Sequence, residues 1–256
     1  MNENNRMLAA VFLVGLFLGL GVGAAFEFTV QTINSSTNQT NRTNTSTPLT
    51  IDQMYTNAVR DAMVAEQSEI VNNLTAIADT NANLFWNGTG SNETVLVVTW
   101  TKYISSYPVN TTVNTTWGDT WVTVVPEMKD FFSNKTFENK TLRAEQLLGL
   151  QPNKGYTYFV ELWVKPSDLF RPAPDNEIND TTAQLAFPSN VDANYTTWFN
   201  DSIIYSYFTK QMPWTRLGYT YDWGNHANEV GLSEFVIRKG AEVSVKSVTP
   251  ALEYLS

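Results

Sequence analysis

From Met7 to Phe26 the chain reads MLAAVFLVGLFLGLGVGAAF, about twenty residues with no charge and no strongly polar side chain. As a helix this run extends roughly 30 Å, the thickness of a bilayer's hydrocarbon core. It is therefore expected to span a membrane. Val22-Gly23-Ala24 also suits signal-peptide cleavage, but the apolar stretch exceeds an ordinary signal's and favours an uncleaved anchor. Arg6 on the short side places residues 1–6 in the cytoplasm and everything after Phe26 outside. Gly15, Gly19 and Gly23 recur every fourth residue, a spacing that lets two such helices approach closely and form a homo-oligomer.

The pattern then changes completely. Residues 27–49 become Asn/Ser/Thr-rich with no apolar period, which reads as a stalk. Thr50 and Gln53 form a capping box, and apolar positions at mixed spacings of three to five predict a long, interrupted amphipathic helix over 51–78. Strands are expected at 94–103, 120–125 and 156–165, where β-branched and aromatic residues concentrate, the first two forming a hairpin. Short helices are expected at 126–132, after a proline, and at 141–148, stopped by Gly149. A helix at 194–208 and strands at 215–223, 233–238 and 242–247 complete the reading. This order predicts one extracellular α+β domain over 50–256, with an antiparallel or mixed sheet and flanking helices.

Composition narrows the functional classes. The chain has 25 acidic and 16 basic residues, a net charge of −9, which argues against nucleic-acid binding. It has no cysteine, so disulfides, thiolate chemistry and zinc–sulfur sites are excluded. Eight Trp, 11 Tyr and 14 Phe supply a core by burial alone. Asn-x-Ser/Thr triplets begin at Asn34, Asn38, Asn41, Asn44, Asn73, Asn87, Asn92, Asn110, Asn114, Asn134, Asn139, Asn179, Asn194 and Asn200. Composition alone would give about five. The excess points to an N-glycosylating route, and acidity without cysteine favours an archaeal envelope.

Candidate chemistry is sparse. The single histidine, His226, and the absence of a Gly-x-Ser-x-Gly elbow or a Gly-rich phosphate loop leave catalysis to carboxylates. Glu161 lies between Phe159 and Trp163 on one strand face, and Glu234 lies on another predicted strand. These two, with Arg171 and Arg216, are the candidate catalytic set of a glycan hydrolase. In PWTRLGYTYDWG, a strand would align Tyr219, Tyr221 and Trp223, beside Trp214, as an aromatic ligand platform, with Arg216 and Asp222 paired behind it. Asp175, Glu177 and Asp180 crowd into a proline-fixed loop with oxygen donors for calcium. Yet Asp180 sits where a calcium loop needs glycine, and Ala186 where it needs a bidentate Glu.

The expected protein is thus a single-pass, N-glycosylated cell-surface module, tethered by residues 7–26, that binds a glycan or envelope protein or serves a structural role. No cofactor is implied. Missing catalytic motifs weigh against an enzyme, and the alternative is an anchored carboxylate-dependent hydrolase acting on envelope polymers.

Overall fold

A computed structural model describes residues 48–256. The expected membrane helix, the Gly15/Gly19/Gly23 face, the stalk and the sequons at Asn34, Asn38, Asn41 and Asn44 lie outside the described residues. Among the described residues no helix is long and apolar enough to cross a membrane.

The domain is α+β. In chain order it comprises α1 (Ile51–Ala62), β1 (Trp86–Asn87), β2 (Thr94–Thr101), β3 (Thr112–Asn114), β4 (Thr120–Val124), α2 (Val125–Phe132), α3 (Lys140–Leu147), β5 (Tyr158–Val164) and β6 (Leu169–Phe170). There follow α4 (Ala193–Ile204), β7 (Tyr219–Tyr221), β8 (Val230–Ser233), β9 (Phe235–Ile237), β10 (Glu242–Pro250) and α5 (Ala251–Tyr254). Eight strands form one sheet in the order β3-β10-β5-β2-β4-β9-β6, with β1 on β2 as well. Every pairing is antiparallel. A small second sheet joins β7 to β8.

Strand composition follows sheet position. In β2, TVLVVTWT, seven consecutive residues are buried, because this central strand is covered on both faces. Near the edge, β10 buries Val243 and Val245 and exposes Glu242, Ser244 and Lys246. One face of the sheet carries Val95, Val97, Val124, Val160 and Leu162, packed beneath Ile77, Leu84 and Tyr107. The other carries Leu96, Val98, Trp100 and Phe159 beneath α2, α3 and α5. Helix α4 adds a third cluster, with Tyr195 and Phe199 on Phe170, Trp214 and Val236.

The strand expected at 233–238 is split at Glu234 between β8 of the small sheet and β9 of the large one, and two further elements differ more. The capping box at Thr50 and Gln53 forms, but the helix ends at Ala62. Residues 70–77 run as an extended strap, with Leu74 N–H donating to Thr181 O at 2.9 Å and Ile77 N–H to Ile178 O at 2.6 Å. Ile70, Leu74 and Ile77 had mimicked a helical period while packing onto the sheet's covering layer. The second is the aromatic segment. Only Tyr219–Tyr221 is strand, because Arg216 and Gly218 take positive φ values of 60° and 75° and bend the chain so that Trp214 bridges to Thr220. The bend breaks the alternation on which the platform depended.

Candidate functional site

A concavity of about 930 Å³ lies on the helix-covered face of the large sheet. Strand register explains its lining. Val98 of β2 pairs with Thr123 of β4, while Trp121 and Val122 pair with Val236 and Phe235 of β9. Continuing that register by one residue puts Thr123 beside Glu234. Since side chains alternate, Val98, Trp100, Trp121, Thr123, Glu234 and Val236 share one face. Helices α2 and α3 cover this face at one end and α4 at the other. Between them the pocket is bounded by Met128 and Leu148–Leu150 on one side and Trp198, Ser202, Tyr205 and Trp214 on the other.

Glu234 occupies the single-residue break where the chain leaves β8 in the small sheet and enters β9 in the large one. Its N–H donates to Gly218 O at 2.9 Å, fixing the crossover. The side chain reaches the pocket, but Oε2 is buried and has no hydrogen-bond partner within the protein. Burial pushes its carboxyl up to about 8, so it is mainly protonated at neutral pH and can donate a hydrogen bond.

Three further buried polar atoms, on residues that line the same pocket, also lack a protein partner: Trp100 Nε1, Trp214 Nε1 and Thr123 Oγ1. Two are obligate donors, the third a hydroxyl that both donates and accepts. They lie among aromatic rings in mutual contact. Trp121 meets Trp214 edge-on at 5.7 Å, Trp198 approaches Trp214 at 6.2 Å, and Trp100 stacks on Phe159 at 5.0 Å. Other polar groups are already committed. Trp198 Nε1 donates to Asp119 Oδ2 at 2.7 Å, and Asp119 Oδ1 accepts from the Lys239 N–H at 2.7 Å. Tyr103, Trp117 and Tyr205, each about half exposed or more, line the pocket toward solvent.

The residues anticipated from sequence separate into different surroundings. Glu161 shares the sheet face with Glu234 but stands three strand spacings away, a backbone separation of roughly 14 Å, and its carboxylate is turned to Lys129 and Lys246. Glycoside hydrolysis needs a gap of about 5–10 Å. Lys129 at 2.7 Å and Lys246 at 3.0 Å clamp Glu161, and Tyr254 and Ser247 hydroxyls donate to it at 3.2 Å. Burial acts to raise its carboxyl, but the two lysines outweigh burial and hold it below the ordinary range. Glu161 is therefore charged and occupied, unsuited to general-acid work.

Arg171 is fully buried and donates to the carbonyls of Glu177 at 3.1 Å and Asp180 at 2.7 Å, organising a loop outside the pocket. Arg216 donates to Met63 O at 3.0 Å. Its expected partner Asp222 instead pairs with Arg143, with Arg143 Nη1 at 2.8 Å from Oδ1. Of the aromatic candidates, Trp214 and Tyr221 line the pocket, whereas Tyr219 and Trp223 belong to separate core clusters. Asp175, Glu177 and Asp180 do converge, one carboxylate oxygen from each lying within 4.8 Å of the others. The ten sequon asparagines among the described residues are all exposed.

Trp100, Trp121, Trp198 and Thr123 were not anticipated. Residues 100, 121 and 123 lie in strands that the sequence does predict, but their shared face follows from register between strands more than twenty positions apart. No local period carries that information. In comparisons with known proteins, no family model, curated protein or solved structure matches this chain.

Proposed function

We propose that this chain is a membrane-tethered, N-glycosylated protein of the cell envelope whose outer domain binds a polyhydroxylated ligand, a glycan, in the pocket around Glu234. The reading rests on four unpartnered polar atoms, Trp100 Nε1, Trp214 Nε1, Thr123 Oγ1 and Glu234 Oε2, all on residues that line one aromatic pocket. Buried polar groups without partners are uncommon, and four of them on residues that line one cavity favour a ligand that supplies both donors and acceptors once those side chains turn toward it. A sugar does so with its hydroxyls, while its apolar C–H faces stack on aromatic rings. An ammonium ligand fits less well, because indole N–H donors have nothing to give it. The volume also suits a ligand of a few rings. Surface placement rests on the apolar segment 7–26 and the excess of sequons, and the exposure of all ten described sequon asparagines is compatible with it.

Titrating the protein with neutral oligosaccharides while following tryptophan fluorescence tests the reading. Saturable change is expected, with affinity reduced about tenfold in Glu234→Gln, which loses the acidic donor. A flat response across the panel, with a properly folded protein, would remove the glycan assignment.

A hydrolase reading has one observation in its favour: Asp119 lines the same pocket as Glu234 and is a second carboxylate. Both Asp119 oxygens already accept hydrogen bonds, which favours binding over turnover. Product analysis by mass spectrometry separates the two. Oligosaccharide cleavage abolished by Glu234→Gln would establish hydrolysis.

A further inference from the structure

The three acids of the loop between β6 and α4 lie apart from the aromatic pocket and have chemistry of their own. We propose that Asp175, Glu177 and Asp180 form a binding site for a divalent cation of the calcium class. One oxygen from each falls within 4.8 Å of the others, a spread that ligands about 2.3–2.6 Å from a single calcium ion can span.

Asp175 adds a feature that an ordinary acidic surface loop lacks. Its side chain is completely buried. Oδ1 accepts the Gln184 N–H at 2.8 Å, but Oδ2 has no partner within the protein. A buried carboxylate oxygen left without a donor is costly, and a cation facing it removes the cost. Glu177 is exposed, giving an ion an entry path from solvent.

Charge balance agrees. Arg171 packs into the loop from inside, and its directed hydrogen bonds go to the Glu177, Asp180 and Thr75 carbonyls rather than to carboxylates. Its nearest carboxylate contact is 3.5 Å, to Asp180 Oδ1. Arg171 also faces Glu127, which is held by Thr75 and the Ser233 N–H. Three carboxylates against one guanidinium leave two negative charges in excess. Hard oxygen donors with a double negative excess select a hard divalent ion. Bound there, it would fasten residues 171–184 against the strap that donates to Ile178 and Thr181.

The test uses the full chain, stripped with chelator and titrated with calcium chloride in a calorimeter, with thermal unfolding alongside. Saturable binding near one ion per chain and a rise in Tm are expected, with magnesium weaker because it tolerates this spread poorly. Glu177→Gln and Asp180→Asn should each weaken binding at least about tenfold. Because Asp175→Asn alters a buried residue and can fail to fold, the exposed Glu177→Gln is the deciding variant. Absence of heat and of any Tm change up to about 10 mM calcium, or wild-type affinity in Glu177→Gln, would overturn the assignment.

Discussion

Glu161 and Glu234 face the same side of the large sheet, Glu234 from the break before β9, yet at neutral pH the first is ionised and the second mainly protonated. The difference lies in what surrounds each carboxylate. Two lysines surround Glu161, and nothing charged offsets the burial of Glu234. For Glu234 the folded-state value is raised above the unfolded one, so its contribution to stability is intact below the ordinary carboxylate value and is lost as pH rises toward about 8. Urea unfolding across that window should show declining stability in wild type, by a few kcal/mol, and a flatter profile in Glu234→Gln. Ligand affinity should fall over the upper part of the same window, as the donor proton is lost. Glu161 has the reverse sign. Its depressed folded value gives stability that is present above the unfolded carboxylate value and lost as pH falls through the folded one. Glu161→Gln should cost about 1–3 kcal/mol near neutral pH and blunt acid unfolding. The cost stays below that of a stranded buried charge because Lys129 and Lys246 retain 47% and 42% exposure and can return to water.

Among the elements, the turn at residues 215–218 decides the most. Gly218 has φ of 75°, and a Cβ there would lie 2.6 Å from Arg171 Cδ and 3.1 Å from Leu74 Cδ1. Glycine is needed both for the left-handed backbone and for the close approach of the buried arginine. Gly218→Ala should therefore lower stability by at least about 2 kcal/mol in thermal or urea unfolding, more than a left-handed alanine alone would cost. The same turn explains why the aromatic segment misled as a strand. Alternation in PWTRLGYTYDWG is regular on paper, but Arg216 and Gly218 reverse the chain and send Trp214, Tyr219 and Trp223 into three different clusters. Strap 70–77 misled for a related reason. Its apolar residues are spaced like a helix face, while their backbone groups pair with the acidic loop. Where tertiary packing did not intervene, local chemistry sufficed. The Thr50–Gln53 box starts α1, the proline opens α2, and Asn139 and Gly149 bound α3.

For the whole molecule, residues 48–256 carry their own sheet and several hydrophobic clusters. A fragment of those residues should thus unfold cooperatively, within a few degrees of the full chain's Tm in matched detergent, as measured by calorimetry. Non-cooperative melting of the fragment would show that residues 1–47 contribute to the fold. The sequence by itself determined the α+β class, the position of most strands and the absence of cysteine chemistry, because hydrophobic period, capping residues and composition are local properties. It also brought Trp214 and Tyr221 into view as ligand-binding candidates, though with other partners, and Glu234 for a catalytic role. Only the tertiary structure decided that Glu234 stands among Trp100, Trp121, Trp214 and Thr123 and apart from Glu161. Those neighbours are set by the register of β2, β4 and β9, and register joins residues too distant along the chain for any local pattern to record.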